Sequence, residues 1–253
     1  MKTLRDVGLL YARYGVQMVR NPVWVFVGLS TPLLYLVLFT PLLDHLSGAS
    51  VLGQGHALQV FLPGILSLLA FASGAGPGFS VIFELQSGVI ERLRVTPASR
   101  LAILLGPILF GATAMFVFDI VMVAVGSAFG FEIHLGGLVV LAVLLALLML
   151  TTAAFSMAMA LTTGNISSFA AVINGLNLPV LLLGGVLLPI SLGPTWLKLL
   201  GHFDPLFYLV AASRTLAAGV FSGTTLWQAF AVLTPLCVLS VAWATGTVRR
   251  AVA

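Results

Sequence analysis

The sequence predicts an all-α integral membrane protein with six transmembrane helices, and three observations carry that prediction. The 253 residues are 60% hydrophobic and only 7% charged, whereas a soluble domain carries roughly 25% charged residues. Six runs approach the ~20 apolar residues that a helical crossing needs. They are residues 23–43, 60–83, 101–129, 137–161, 166–188 and 226–248. The basic residues are also unevenly placed. Lys2, Arg5, Arg13, Arg20, Arg92, Arg94, Arg100, Arg249 and Arg250 fall on one side of these runs, and Lys198 and Arg214 on the other. The positive-inside rule then puts both termini and the 84–100 loop in the cytoplasm. The net charge of +4 is accounted for by this sidedness, and no nucleic-acid partner is expected.

Residues 1–21 read as an amphipathic helix. Leu4, Val7, Tyr11, Tyr14 and Met18 share one face at 100° per residue, with Leu9 and Val16 as exceptions. Such a helix is expected to lie in the headgroup plane, with its rings in the acyl boundary and its arginines near anionic phosphates. Asn21-Pro22 breaks it before the first span. The first span is too long for a signal-peptide core and lacks a small-x-small cleavage site.

Residues 189–225 are too long for a tight turn and too apolar for a solvated loop. Two short helices are expected there, from Pro194 to about Leu200 and from Pro205 to about Ala218. Proline suits the first turn of each, and Asp204 can cap the second. With Trp196, Phe207 and Tyr208 at the interface, the segment reads as a partly re-entrant external hairpin.

Several catalytic chemistries are excluded. The only lysines are Lys2 and Lys198, and neither sits in a GxxxxGK[ST] loop, so the chain has no phosphate cradle of its own. HExxH and GxSxG are absent, and His45, His56, His134 and His202 are scattered near predicted membrane borders. No metal site and no catalytic residue are expected. The single Cys237 excludes an intrachain disulfide.

The loop Glu84-Leu-Gln-Ser-Gly88-Val89-Ile-Glu91-Arg92-Leu93-Arg94-Val-Thr96-Pro97-Ala-Ser-Arg100 is the most informative polar segment. A helix from about Ser87 to Val95, ended by Pro97, would put Val89 and Leu93 on one side and leave Glu91, Arg92 and Arg94 for ion pairs. It is either an ordinary inside loop or a lever that docks its apolar side chains into a partner's groove.

This loop resembles the signature of ABC-2 type exporter permease subunits, roughly E-x-x-x-G-x-x-E-R-L-x-x-T-P, at Glu84, Gly88, Glu91, Arg92, Leu93, Thr96 and Pro97. Phe61-Leu-Pro63-Gly64-Ile65 resembles the family's PG element. Pro189, Pro194, Trp196, Leu197, Pro205, Tyr208 and Arg214 resemble its last external hairpin, with Asp204 where the family usually has asparagine. The nearest likeness is to daunorubicin-resistance-like drug exporter permeases, over essentially the whole chain.

The resemblance implies a single transmembrane domain, 1–253, in a multi-pass arrangement in a bacterial cytoplasmic membrane. It implies a homodimer of permeases working with two copies of a separate ATPase subunit, which holds the ATP and Mg. This chain would bind no cofactor. Residues 84–97 would form the ATPase-coupling element, including Val89 and Arg94, and the cargo would be a hydrophobic or amphiphilic drug, lipid or glycolipid.

Five intramembrane residues and one glycine-rich run invite roles of their own. Asp119 is the only acid well inside a span, where charge costs roughly 2.5–3.5 kcal/mol; it either bonds a neighbouring helix or carries protons, as in a proton-coupled carrier. Asn174 and Asn177 share a face of the fifth span, fit either for interhelical amide bonds or for a polar stripe along a pathway. Phe61 and Phe71 could meet an apolar cargo or simply pack. The Ser73–Gly78 run marks a kink or a close helix contact.

Overall fold

A computed structural model describes residues 2–47, 57–88, 100–132, 134–186, 190, 193–221 and 223–251. The described residues form helices and connecting turns. They are α1 (Lys2–Arg20), α2 (Pro22–Ser47), α3 (Ala57–Gln86), α4 (Arg100–Ala128), α5 (Leu135–Thr163), α6 (Ile166–Leu183), α7 (Thr195–Gly201), α8 (Pro205–Ala217) and α9 (Thr224–Ala251). Five of these, α3, α4, α5, α6 and α9, are long and apolar enough to cross a membrane, and α2 makes a sixth when taken with α1 as a bent pair. The all-α membrane architecture read from composition is the architecture observed.

Small residues bring the central helices together. A methyl group on Gly74 of α3 would collide with the Thr152 side chain of α5, and the Ser156 hydroxyl donates to the Gly74 carbonyl at 2.7 Å. One turn on, a methyl on Gly78 would lie 2.6 Å from Phe169 Cζ and 2.7 Å from the Ser156 carbonyl oxygen. In lipid, helices gain little from burying apolar area against each other, so close backbone approach and interhelical hydrogen bonds take over. The glycine run is therefore a contact site. Further notches are Gly111 of α4, filled by Met149, and Gly126, filled by Leu62.

Two expectations need revision. The Tyr14 ring of α1 lies against protein rather than in lipid, while Tyr11 is half-buried. Val7 and Tyr14 are buried, Tyr14 stacks on Phe110 of α4 at 6.1 Å, and the Tyr11 hydroxyl donates to Thr113 at 3.2 Å. Gly106 lets Leu10 approach, since a methyl there would be 2.8 Å from Leu10 Cβ. The helix still exposes Leu9 and Val16, the exceptions to its pattern, together with Val19. Secondly, the fifth span ends at Leu183 rather than 188, because Gly185 turns left-handed at φ 65°. Eighteen residues make about 27 Å, just sufficient for a crossing. The hairpin helices appear as expected, Asp204 capping α8 by accepting from Leu206 N–H at 2.9 Å, with Pro205 in the first turn.

The close-packing account predicts opposite results at two neighbouring glycines. Gly78→Ala drives a methyl into Phe169 and should lower the thermal midpoint of the detergent-solubilised protein. Gly76 has nothing within 4 Å, and Gly76→Ala should leave the midpoint unchanged or raise it, given a helix preference of about 1 kcal/mol.

Candidate functional site

At the end of the bundle that carries α1, the last turn of α3 is held in place by an ion pair. Glu84 is 8% exposed and meets Arg13 Nη1 at 3.4 Å. The Tyr14 hydroxyl also bonds to Glu84; burial first, then the adjacent carboxylate and this bond, hold the phenol far above the usual tyrosine range, so it remains a donor. The pattern of α1 produces this, because Tyr14 lies on its buried face and Arg13 at that face's edge. Three residues after Glu84, Ser87 and Gly88 form the turn that closes α3, Gly88 at φ 70°. A left-handed glycine there is a common helix terminator. Of the signature, Glu84 and Gly88 lie in this turn. Val89, Glu91, Arg92, Leu93, Arg94, Thr96 and Pro97 lie outside the described residues, as does most of the helix expected from about Ser87 to Val95.

At the opposite end, three sequence features converge. α6 stops at Gly184 and Gly185, and Val186 presses its carbonyl against α3 where a methyl on Gly64 would lie 2.5 Å away. The stop leaves carbonyls without helical partners. Arg214 of α8 supplies them: its Nη2 donates to the carbonyls of Gly185 at 2.7 Å and Val186 at 3.3 Å, while Nε donates to Val60 at 3.0 Å. Burial lowers the guanidinium to about 10, still charged at neutral pH. The PG element, the end of α6 and the hairpin arginine thus form one knot. Beside it Ser67 and Ser213 face each other at 3.5 Å, and Leu206 fills the notch left by Gly184. Tyr208 donates to the His202 carbonyl at 3.1 Å, Pro194 precedes α7, and Trp196 is exposed. Pro189 lies outside the described residues.

Between its two ends α6 is uncovered. Phe169 is buried against Phe79, 4.8 Å away edge-on, and pins the first turns. Residues 174–179, with Asn174, Asn177 and Pro179, are exposed. Phe61 is buried, stacked on Phe39 at 5.5 Å, and Phe71 is half-buried at the core's edge. Asp119 is 7% exposed, and among the described residues neither carboxylate oxygen has a hydrogen-bond partner. Among the described residues no three His, Cys, Asp or Glu side chains cluster closely enough to hold a metal.

Sequence reasoning missed the partners of Glu84 and the carbonyls held by Arg214. The i, i+3 pair Tyr11 and Tyr14 was a signal for the former, since two hydroxyl-bearing rings on a helix face suit a protein surface as well as a headgroup layer.

A bundle with five helices long and apolar enough to cross a membrane, and a sixth span when α1 and α2 are taken together, is a multi-pass membrane protein. Residues 5–218 match the ABC-2 type transporter family, and the chain belongs to that family. It is similar to proteins named transport permease ycf38: 30% identical to that of Cyanophora paradoxa over 84% of this chain and 74% of the relative. The ycf38 of Pyropia yezoensis is 24% identical over 95% and 80%, and that of Porphyra purpurea 25% identical over 83% and 73%. The family is one of transport permeases, so this chain is a non-catalytic transport subunit of an ABC system.

Two substitutions test the hairpin. Arg214→Met leaves three carbonyls without their donor and should cost about 2 kcal/mol or more, read as a fall in thermal midpoint that Arg214→Lys only partly restores. Asp204 is pushed up to about 6 by burial, against the opposing pull of the Leu206 N–H. The folded state therefore binds this proton more tightly than the unfolded chain, and stability is lost as pH rises from about 4 to about 6. Asp204→Asn keeps the cap without the ionisation. Its midpoint should exceed wild type at pH 7, and the gap should close below pH 4.

Proposed function

We propose that this chain is the membrane-spanning permease subunit of an ATP-driven exporter of hydrophobic or amphiphilic molecules, such as a drug, a lipid or a glycolipid. Two copies pair with two separate ATPase chains, which hold the ATP and Mg, in a bacterial cytoplasmic membrane with both termini inside. The observation that carries this reading is the Arg13–Glu84–Tyr14 contact. It fastens the last turn of α3, where the family's signature begins at Glu84, to α1, so a push arriving through the loop that follows would reach α1, α3 and α4 together. Glu91, Arg92 and Leu93 are the contact to the ATPase. Nucleotide must bind one packing of the spans more tightly than the other, since equal affinity would shift nothing.

The pathway lies between the two copies, along α2, α3 and α6. The uncovered middle of α6 supports this, because Asn174 and Asn177 facing hydrocarbon alone would leave their amides unsatisfied. Phe71, half-buried on α3, is assigned to that pathway, whereas Phe61, buried against Phe39, serves by packing.

Asp119 keeps a second reading open, proton-coupled carriage, because its buried carboxylate has no partner. Reconstitution with the cognate ATPase distinguishes the two. The exporter reading expects an ATPase to co-purify and to be lost on charge reversal at Glu91 and Arg92. It also expects Glu84→Ala to cut ligand-stimulated ATP turnover about tenfold, roughly 1.4 kcal/mol of coupling. Transport that needs no ATP and vanishes in Asp119→Asn would establish the carrier instead.

A further inference from the structure

α6 is uncovered where it is most polar. Asn174 and Asn177 stand in the middle of this 18-residue helix, three apart and so on one face. Both are exposed, and among the described residues neither amide has a hydrogen-bond partner. Each lies about 9 Å or more from either end of the helix, too deep for a short side chain to reach the headgroups. The row that starts at Asn174 continues every fourth residue through Leu178 and Leu182, which are 65% and 56% exposed. An apolar ridge therefore leads away from the amides. Charge is missing from the same surroundings. The membrane stretches of α2, α3 and α6, residues 23–43, 60–83 and 166–183, contain no Asp, Glu, Lys, Arg or His, and the two asparagines are their only side-chain amides. Asp119 is buried on α4, and Arg214 is committed to three backbone carbonyls.

We propose that this face of α6 binds the uncharged, hydroxyl-bearing head of a neutral amphiphile and rejects charged ones. This rests on the pathway role given above to α2, α3 and α6, and it narrows the cargo to one chemical class. An asparagine amide donates through its nitrogen and accepts through its oxygen, so a pair on one face suits adjacent hydroxyls, which also do both. The tail of the amphiphile lies along Leu178 and Leu182. A phosphate or ammonium head would leave water here without a counter-charge, and that loss exceeds what a hydrogen bond to an amide returns. A sugar or polyol head suffers no such loss.

Native mass spectrometry of the full-length protein in micelles tests this with three dioleoyl lipids in equal amounts, bearing a glucosyl, a phosphoglycerol or a trimethylammonium head. The glucosyl lipid should be retained in preference to both others, on monomer and dimer alike. Asn177→Leu should weaken that preference about fivefold, the worth of one hydrogen bond, at an unchanged thermal midpoint, and Asn177→Gln should keep most of it. Equal or greater retention of a charged lipid would overturn the proposal, as would an undiminished preference when both asparagines are replaced by leucine. So would loss of the lipid from the dimer alone, which marks a second copy seated on the amides. ATP turnover of the reconstituted complex separates this from the exporter reading. Stimulation by a charged lipid overturns the neutral class and leaves the exporter intact. Retention of the glucosyl lipid without stimulation upholds the site and removes its place in a transport pathway.

Discussion

A backbone that leaves helical geometry inside a packed bundle must find its hydrogen bonds within the protein, and in this molecule Arg214 supplies them. A buried carbonyl left unsatisfied costs about 1–3 kcal/mol. The chain stops α6 at Gly184 and Gly185 and directs one charged fork at the carbonyls of Gly185 and Val186, and at Val60 of α3. That contact sets the height of α8, which in turn lets Leu206 fill the notch at Gly184 and brings the Leu216 carbonyl against Gly137 of α5. The upper half of the bundle is assembled around these donors.

The lower half uses a different device. Glu84 is buried, yet its charge is matched by Arg13 and by a phenol that stays protonated. The Arg13 side chain is 45% exposed, so the pair is open to solvent on one side and adds little net stability. Its consequence is positional: it ties the last turn of α3 to α1, which in turn packs on α4 through Phe110, Thr113 and Gly106. α6 is pinned by Phe169 at one end and by the Arg214 knot at the other, with its middle uncovered. In a two-copy exporter that is where a second copy and a cargo would meet the chain.

Five of the apolar spans with their approximate limits, the two hairpin helices and the cap at Asp204 were legible in the sequence. Apolar length and proline or glycine punctuation act locally and in lipid are seldom overridden. Likewise the notion of a close contact at Ser73–Gly78 needed only the rule that glycine in a helix must be compensated. Partnership was not legible. Nothing in the spacing says that α1's rings meet Phe110 instead of acyl chains, because both surroundings are apolar and reward the same face.

The sequence by itself therefore determined that this is a polytopic helical membrane protein carrying the ABC-2 loop signature, since hydropathy, charge sidedness and short motifs are properties of consecutive residues. Only the tertiary structure decided that the PG element, the end of α6 and Arg214 form one knot, that Glu84 is tied to Arg13 and Tyr14, and that Phe61 is core. Those contacts join residues up to 154 positions apart, and their geometry depends on how closely glycine lets two backbones approach, a distance that no local pattern encodes.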